Sequence, residues 1–257
     1  MTEWSTDGVF VDTLASPSLT DPVMIEGLPG VGNVGALVVE HLLEELEPTL
    51  CARITSEHLP PQVMIDADGL AQLPSLEIHA VSIEGRDLLC VSGEQQATNP
   101  VGHYRLTTAV LDIAASFDVS TIYALGGVPT GELSADPAIV GAVSNESLRE
   151  PAEAVGVDFR EREPKGGILG ISGLLLGLGG ERGFDVTCLM GETSGYLVDP
   201  TSASAVLSVL EAWIGFDVSY DRLDARAEAM KPVVQQVQQL QEGDAEPAGG
   251  DDLRYID

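Results

Sequence analysis

The chain has 257 residues, 44% of them hydrophobic, and a formal net charge of −29 at pH 7. This length and composition exclude a disordered polypeptide and suffice for one large domain with a well-buried core. With only 12 Lys and Arg, the chain lacks a basic surface for nucleic acid phosphates. An acidic composition with few lysines is typical of halophilic proteins in a salt-rich cytoplasm, where screening by salt shortens the range of charge repulsion.

The sequence predicts a cytoplasmic protein that neither crosses nor binds a membrane. Residues 1–20 contain acidic side chains and no apolar core segment, so no signal peptide is predicted. The longest apolar stretch, 166–180, is interrupted by glycines and is too short to span a bilayer. The three cysteines, Cys51, Cys90 and Cys188, show no C-x-x-C spacing, so we expect buried free thiols.

Predicted strands and helices alternate along most of the chain, which indicates an α/β fold. The apolar runs 88–91 and 186–190 contain no alternating polar residues, as is typical of parallel strands covered on both faces. An antiparallel pair is predicted between 62–66 and 76–83. The predicted strands are 22–26, 50–55, 76–83, 87–92, 120–125, 139–144, 156–160 and 185–190, and the predicted helices are 33–46, 101–117, 146–155, 168–179, 201–214 and 221–241.

A glycine-rich elbow, residues 27–35, lies between the first of these strands and the first helix. Gly30, Gly32 and Gly35 have the G-x-G-x-x-G spacing of a dinucleotide-binding turn. A Rossmann site also requires an acidic residue at the end of the second strand, and the one near that place leads directly into Pro-Pro. Two interpretations stay open: a ligand-binding turn at the start of the helix, where anions bind easily, and a tight crossover in which glycine permits close packing.

The dipeptide Gly-Glu follows three of the apolar strands. In an open parallel sheet such loops meet at the carboxyl edge, where ligands bind. Their hydroxyls, amides and carboxylates predict a crevice suited to a hard cation or a polar ligand. Alternatively, they are ordinary turns in a chain with 41 acidic residues, or they shape a subunit interface. The candidate crevice residues are Gly30, Gly32, Asn33, Glu94, Thr130, Glu132, Glu192 and Thr193.

The sequence contains none of the common motifs for hydrolytic or metal chemistry. The four histidines have no His-x-x-x-His or His-Glu-x-x-His spacing. There is no Gly-x-Ser-x-Gly elbow and no phosphate-binding loop that ends in Gly-Lys-Ser/Thr. We therefore assign no catalytic residue, no metal ligand and no cofactor.

The C-terminal part of the chain changes character after one last amphipathic helix. This helix, 221–241, contains Pro232, which predicts a break or kink, and it completes a single predicted domain, 1–241. Residues 242–257 predict a flexible acidic tail with an apolar end. Nothing within the tail can bury these apolar side chains, so they either dock on a partner or fold back on their own subunit. The candidate docking residues are Leu253, Tyr255, Ile256 and Asp257.

Several stretches occur together in a fixed order: 25–35 (IEGLPGVGNVG), 91–96 (VSGEQQ), 123–132 (YALGGVPTGE), 166–180 and 189–193 (LMGET). In these stretches the chain resembles the archaeal branch of the family named after the second proteasome assembly chaperone. The resemblance implies a three-layer α/β/α sandwich with a mostly parallel central sheet. It also implies assembly into homo-oligomers.

The function implied by this resemblance is binding to α subunits during 20S proteasome assembly, without catalysis. Members that dock on the proteasome often end in a hydrophobic residue, a tyrosine and any residue. Tyr255 departs from that pattern, because it is third from the end and follows Arg254. The alternative is an enzyme of the ATP-grasp-like type, or one that binds a nucleotide or small polar ligand in the Gly-Glu crevice. A third reading is an oligomer with an unrelated partner.

Overall fold

The computed structural model describes residues 8–161 and 163–243, with side chains described as far as Val233 in the last helix. This part of the chain forms eleven strands and six α-helices. The strands are β1 (Val9–Thr13), β2 (Val23–Glu26), β3 (Thr49–Ser56), β4 (Met64–Ile65), β5 (Ala71–Gln72), β6 (Ser75–Ile83), β7 (Arg86–Gly93), β8 (Thr121–Pro129), β9 (Ile139–Val143), β10 (Val157–Asp158) and β11 (Asp185–Thr193). The helices are α1 (Val34–Glu45), α2 (Pro100–Ser116), α3 (Arg149–Ala154), α4 (Gly170–Leu174), α5 (Pro200–Ile214) and α6 (Asp221–Gly243).

The main sheet contains nine described strands in the order β1-β3-β6-β7-β2-β8-β11-β9-β10. Its central strands β7, β2, β8 and β11 run parallel, as does the edge pair β9–β10. The other pairings, β1–β3, β3–β6, β6–β7 and β9–β11, are antiparallel. The expectation of a mostly parallel sheet therefore holds only for the centre. One reason is the tight turn at Glu84 and Gly85, both with positive φ, which joins β6 to β7 as a hairpin.

Helices cover both faces of the sheet, which confirms the three-layer α/β/α arrangement. Successive residues of β2 point to opposite faces. Met24 belongs to the buried cluster that contains Leu106 of α2, and Ile25 to the cluster that contains Val38 of α1 and Leu210 of α5. Because all of these side chains are buried, the core consists of two layers separated by the sheet.

Helices α2 and α5 each begin directly after a residue whose side chain caps the helix N-terminus. The carboxamide oxygen of Asn99 accepts the N–H of Gly102 at 2.9 Å, and Pro100 is the first residue of α2. In the same way the carboxylate of Asp199 accepts the N–H of Ser202 at 3.0 Å at the start of α5. Each cap satisfies a backbone donor that would otherwise have no partner, so both helix starts are fixed in position.

The structure differs from the predicted strand pairing near residue 66. Strand β4 pairs with β5, whereas residues 76–83 pair with β3 and β7 instead. The reason is local, because the Asp66 carboxylate accepts the N–H groups of Asp68 and Leu70 and closes a short turn. Strand β1, which the sequence analysis did not predict, covers the outer edge of β3.

The last helix, α6, is joined to α1 by ion pairs. Arg222 lies 2.8 Å from a carboxylate oxygen of Glu45, and Arg226 lies 2.8 Å from one of Glu44. Among the described helices, this one included, none is long and apolar enough to cross a bilayer. The predicted acidic tail, with its docking residues, lies outside the described residues from position 244 onward.

The three cysteines are buried and free, as predicted. They lie in β3, β7 and β11, where the neighbouring side chains are apolar. Burial raises the pKa of the Cys51 thiol and raises that of Cys90 to about 12. It also raises the pKa of Cys188, with a smaller contribution from the negative charge of Glu26. The thiols therefore stay protonated and unreactive in the folded protein.

Candidate functional site

The four parallel central strands end side by side, so the loops that follow them meet at one edge of the sheet. We call this region the carboxyl edge. It consists of the elbow after β2 and of residues 94–99, 130–137 and 194–199, which follow β7, β8 and β11. In open parallel sheets this is where ligand sites form.

The glycines of the elbow allow α1 to pack closely against the sheet. A Cβ atom on Gly27 would lie 2.1 Å from the carbonyl oxygen of Gly35, and one on Gly35 would lie 2.5 Å from that of Leu125. Gly32 and Asn33 adopt left-handed conformations, with φ of 65° and 52°, which turn the chain into the helix. These contacts favour the tight crossover over the dinucleotide-binding turn.

Thr193 joins the elbow to the ends of β8 and β11. Its hydroxyl oxygen is 2.7 Å from the position of a Cβ on Gly32, and its carbonyl accepts the N–H of Thr130 at 2.8 Å. The N–H of Asp199 donates to the Gly32 carbonyl at 2.9 Å. The Thr193 hydroxyl is buried and has no hydrogen-bond partner among the described residues. Gly32, Thr130 and Thr193 of the predicted crevice therefore do lie together.

Asn33 and Glu94 lie in a different place, a groove of about 1080 Å³ between α1, α6 and the ends of β6 and β7. Its walls also contain the apolar side chains of Met64 and Met230 and the acidic side chain of Glu77. Gly30, Thr130, Glu132, Glu192 and Thr193 are not among its lining residues. The predicted crevice is thus divided between two neighbouring surfaces.

Glu192 and Glu132 do not contribute to a shared crevice. Glu192 lies within β11 rather than in a loop, because this strand stays paired with β8 up to Thr193. Its carboxylate accepts a hydrogen bond from Arg160 at 2.6 Å. This hydrogen bond, together with the positive charge of Arg160, holds the pKa of Glu192 below its usual range. Glu132 is exposed, and its N–H donates to the Thr130 hydroxyl at 3.3 Å.

Replacing Glu192 by glutamine is expected to lower the free energy of unfolding by about 1 kcal/mol at pH 7, because Arg160 loses the nearest of its carboxylate partners. The pKa of Glu192 is lower in the folded state, so this contribution is present above the ordinary carboxyl pKa and is lost as pH falls through the folded-state value. Urea denaturation at pH 7 and pH 4 measures it, with the exposed Glu132→Gln as control. Equal effects of both variants would contradict the expectation.

Sequence reasoning missed Glu26, the last residue of β2, which is fully buried. One carboxylate oxygen accepts the N–H of Leu28 at 3.1 Å, and the other makes no hydrogen bond to a described residue. Burial raises the pKa of Glu26 to about 7, and the Ser172 hydroxyl and the Leu28 N–H oppose this rise only in part. The available signal was an acidic residue that ends an apolar strand immediately before the elbow.

Gln96 connects the elbow to the start of α4. Its side-chain amide donates to the Pro29 carbonyl at 2.7 Å, and its carbonyl oxygen accepts the N–H of Ile171 at 3.3 Å. Helix α4 continues into a π-helical turn at Leu175–Gly179, on the same face of the sheet as Met24. The loops after β2 and β7 are therefore held in one arrangement with α4.

The carboxyl edge is a closely packed surface whose loops are joined by hydrogen bonds. Within the described ranges, no three His, Cys, Asp or Glu side chains converge to hold a metal ion. Apolar side chains are exposed in and near the elbow. The exposed fractions are 38% for Val31 within the elbow, 40% for Val198 and 83% for Leu169. Exposed apolar groups on a closely packed scaffold are typical of surfaces that bind other proteins.

The fold and this edge define an α/β/α sandwich protein built around a glycine-packed crossover. The model of the PAC2 family matches residues 24–238, so the chain belongs to the PAC2 family. The resemblance to the family of the second proteasome assembly chaperone is thereby confirmed.

Three of the proteins to which this chain is similar come from archaea. PbaB of Pyrococcus furiosus, described as an archaeal proteasome activator, is 33% identical, with a TM-score of 0.84 over 91% of this chain and 100% of that chain. An uncharacterised protein of Methanocaldococcus jannaschii is 32% identical over 243 residues, which cover 93% of each chain. PbaA of P. furiosus, described as an archaeal homolog of proteasome-assembly chaperone, is 24% identical with a TM-score of 0.69 and shares the fold over 91% of this chain and 99% of that chain.

Proposed function

We propose that this protein is a non-catalytic, proteasome assembly chaperone-like protein that binds α subunits of the 20S proteasome. The observation that carries the proposal is the match to the PAC2 family over residues 24–238. The similarity to PbaB along nearly the whole chain, with a TM-score of 0.84, supports a proteasome partner. The apolar groups exposed at the rigid carboxyl edge support it, since they suit contact with a protein. We further propose that the protein is a homo-oligomer of a salt-rich cytoplasm.

The tail provides a second contact in this proposal. Leu253, Tyr255 and Ile256 each bring about 1.5–3 kcal/mol of burial energy before the cost of ordering the tail. Asp257 is the fourth candidate docking residue of this tail. Because the cost of binding offsets much of this burial energy, a single tail binds weakly. Several tails on one oligomer that meet a ring of α subunits bind with avidity.

Tail truncation tests this contact. We expect a chain that ends at Gly250 to capture at least tenfold less native 20S α subunit than the full chain in molar potassium chloride. The variant Tyr255→Ala separates the apolar contact from tail length, and Asp251→Asn is its matched control with an unchanged apolar end. Equal capture by all forms would move the contact to the folded domain. Failure of the full chain to capture any proteasome subunit would contradict the proposed function.

Peptide hydrolysis separates assembly from activation, because PbaB is described as an activator. Purified 20S proteasome is assayed with and without the full chain. An unchanged hydrolysis rate, together with faster formation of rings from free α subunits, is the expected result. A raised rate on assembled proteasome would favour activation instead.

An enzyme is the second candidate, and one observation favours it. The groove beside α1 is large enough for a small molecule, although the fully buried Glu26 is not among its lining residues. Magnesium ATP and other nucleotides would then raise the melting temperature saturably, and the effect would survive tail truncation. The chaperone proposal expects no such stabilisation.

A further inference from the structure

The hairpin of β4 and β5 stands apart from the main sheet. It forms a separate two-stranded sheet, and we call residues 62–74 the β4–β5 hairpin. Four of the thirteen large apolar side chains that are exposed in the described chain lie within eleven of its residues. They are Val63, Ile65, Leu70 and Leu73, with 52%, 63%, 63% and 62% of their surface exposed. Such a concentration differs from the ordinary scatter of single apolar residues.

One whole face of the hairpin is apolar and exposed. Ile65 pairs with Ala71 across the two strands, and Met64 pairs with Gln72. Because side chains alternate between faces, Val63 and Leu73 continue the face of Ile65 and Ala71. Val63, Ile65, Ala71 and Leu73 are all exposed, although Leu73 also borders the groove. By the same alternation Leu70 lies on the other face, so it does not belong to this one. The opposite face, with Met64, turns toward the groove.

The turn of the hairpin is held in one conformation. The Asp66 carboxylate accepts the N–H groups of Asp68 and Leu70, at 3.0 and 2.8 Å, and the side-chain amide of Gln72 at 3.0 Å. An ordered turn presents the apolar face without a further cost in conformational entropy on binding. A two-stranded sheet with an uncovered apolar face is nevertheless marginal in water, so a partner that covers this face would also stabilise it.

The hairpin is poor in charge within a very acidic chain. Between Leu59 and Leu76 the charged residues are Asp66 and Asp68, both at the turn, whereas 21% of the whole chain is charged. Two copies of a chain with a net charge of −29 repel each other, and this repulsion is weakest where the surfaces that meet carry little charge. A two-fold contact also requires a patch that complements itself, and a purely apolar face meets that requirement.

We infer that the apolar face of the β4–β5 hairpin packs against the same face of a second copy across a two-fold axis. Two hairpins stacked in this way form a small sandwich with a dry interior. The inference rests on the self-association that we proposed above and not on proteasome binding. The side chains of this face, Val63, Ile65, Ala71 and Leu73, can bury roughly a few hundred Å² per copy. A stable complex buries roughly 800 Å² per partner, so flanking residues supply the remaining area.

Sedimentation of the full chain in 2 M potassium chloride tests the inference. We expect the wild type at 10 μM to sediment as a dimer or larger. The double variant Ile65→Glu/Leu73→Glu should raise the dissociation constant at least 100-fold, because it places four carboxylates in the interface. Val101→Glu/Tyr104→Glu adds the same charge at two other exposed apolar positions, both on α2, and should leave the mass unchanged. Circular dichroism checks that every variant is folded.

Thiol cross-linking tests directly whether the hairpins of two copies lie next to each other. The native cysteines are buried, so a cysteine introduced by Ala71→Cys is the accessible thiol in the folded protein. It should form an intersubunit cross-link with a short bismaleimide, whereas Ala115→Cys, exposed on α2, should not.

Each contrary result has a distinct meaning. A monomeric wild type would overturn both the inference and the proposed homo-oligomer, while leaving α-subunit capture to be judged by its own experiment. An oligomer that survives Ile65→Glu/Leu73→Glu, or that both double variants disrupt equally, would overturn the inference alone. So would the absence of a cross-link at Ala71→Cys. If the hairpin variant stays oligomeric but loses α-subunit capture, the hairpin contacts the proteasome instead.

Discussion

Replacing Gly27 by alanine is expected to lower the free energy of unfolding by about 4 kcal/mol, enough to unfold a marginally stable domain. The added Cβ would lie 2.1 Å from the Gly35 carbonyl oxygen and 2.6 Å from a methyl carbon of Val39. Neither neighbour can move easily, because both belong to α1, whose start packs against β8. Urea denaturation, or the amount of folded protein recovered, measures the loss.

The matched control lies in the same elbow. A Cβ on Gly30 would find its nearest atom at 3.9 Å, and the backbone φ of Gly30 is −154°, which an alanine can adopt. Gly30→Ala should therefore change the free energy of unfolding by less than about 1 kcal/mol. If both variants were equally stable, close packing would not be the reason for the glycines of the elbow, and a ligand-binding turn would have to be reconsidered.

Replacing Glu26 by glutamine is expected to stabilise the protein above pH 7. The pKa of Glu26 is about 7 in the folded state, against 4.5 for an ordinary glutamate. Between these values the folded protein holds one proton more than the unfolded chain, so the wild type loses stability as pH rises from 4.5 to 7. Glutamine keeps the shape without the charge, and it should add about 3 kcal/mol at pH 8 and almost nothing near pH 4.5.

Denaturation with urea at constant salt, at pH 5 and at pH 8, measures this effect. Glu132→Gln removes one charge from an exposed position and serves as control, with no expected difference between the two pH values. A Glu26→Gln variant that is less stable than the wild type at pH 8 would mean that the ionised carboxylate has a further native partner besides the Leu28 N–H. Helix α4, which carries Ser172, would then be the place to search for it.

Local sequence patterns sufficed to predict most of the elements of this fold. The apolar runs 88–91 and 186–190 predicted two of the central strands, and the predicted helix 101–117 begins one residue after the observed start of α2. The antiparallel parts of the sheet were harder to predict. Strands β7 and β11 each pair parallel on one side and antiparallel on the other, and their apolar composition is the same for both kinds of neighbour.

The candidate site was harder to predict, because it depends on which side chains face each other. Gly-Glu dipeptides predicted a shared crevice, but Glu192 remains inside β11 and pairs with Arg160, whereas Glu94 lies in the groove. The position of Glu26 at the end of an apolar strand, immediately before the elbow, was the information that could have placed it inside. A single carboxylate in a chain with 41 acidic residues is naturally assigned to the surface.

The place of β2 in the sheet also governs how the chain folds during synthesis. This strand leaves the ribosome well before β7 and β8, yet Val23 pairs with Leu88 on one side and with Thr121 on the other. The middle of the sheet therefore stays open until β8 has been made, and contacts this distant in sequence form slowly. Throughout that interval Met24 and Ile25 remain uncovered on a nascent chain, which makes the growing polypeptide vulnerable to aggregation before its own core exists.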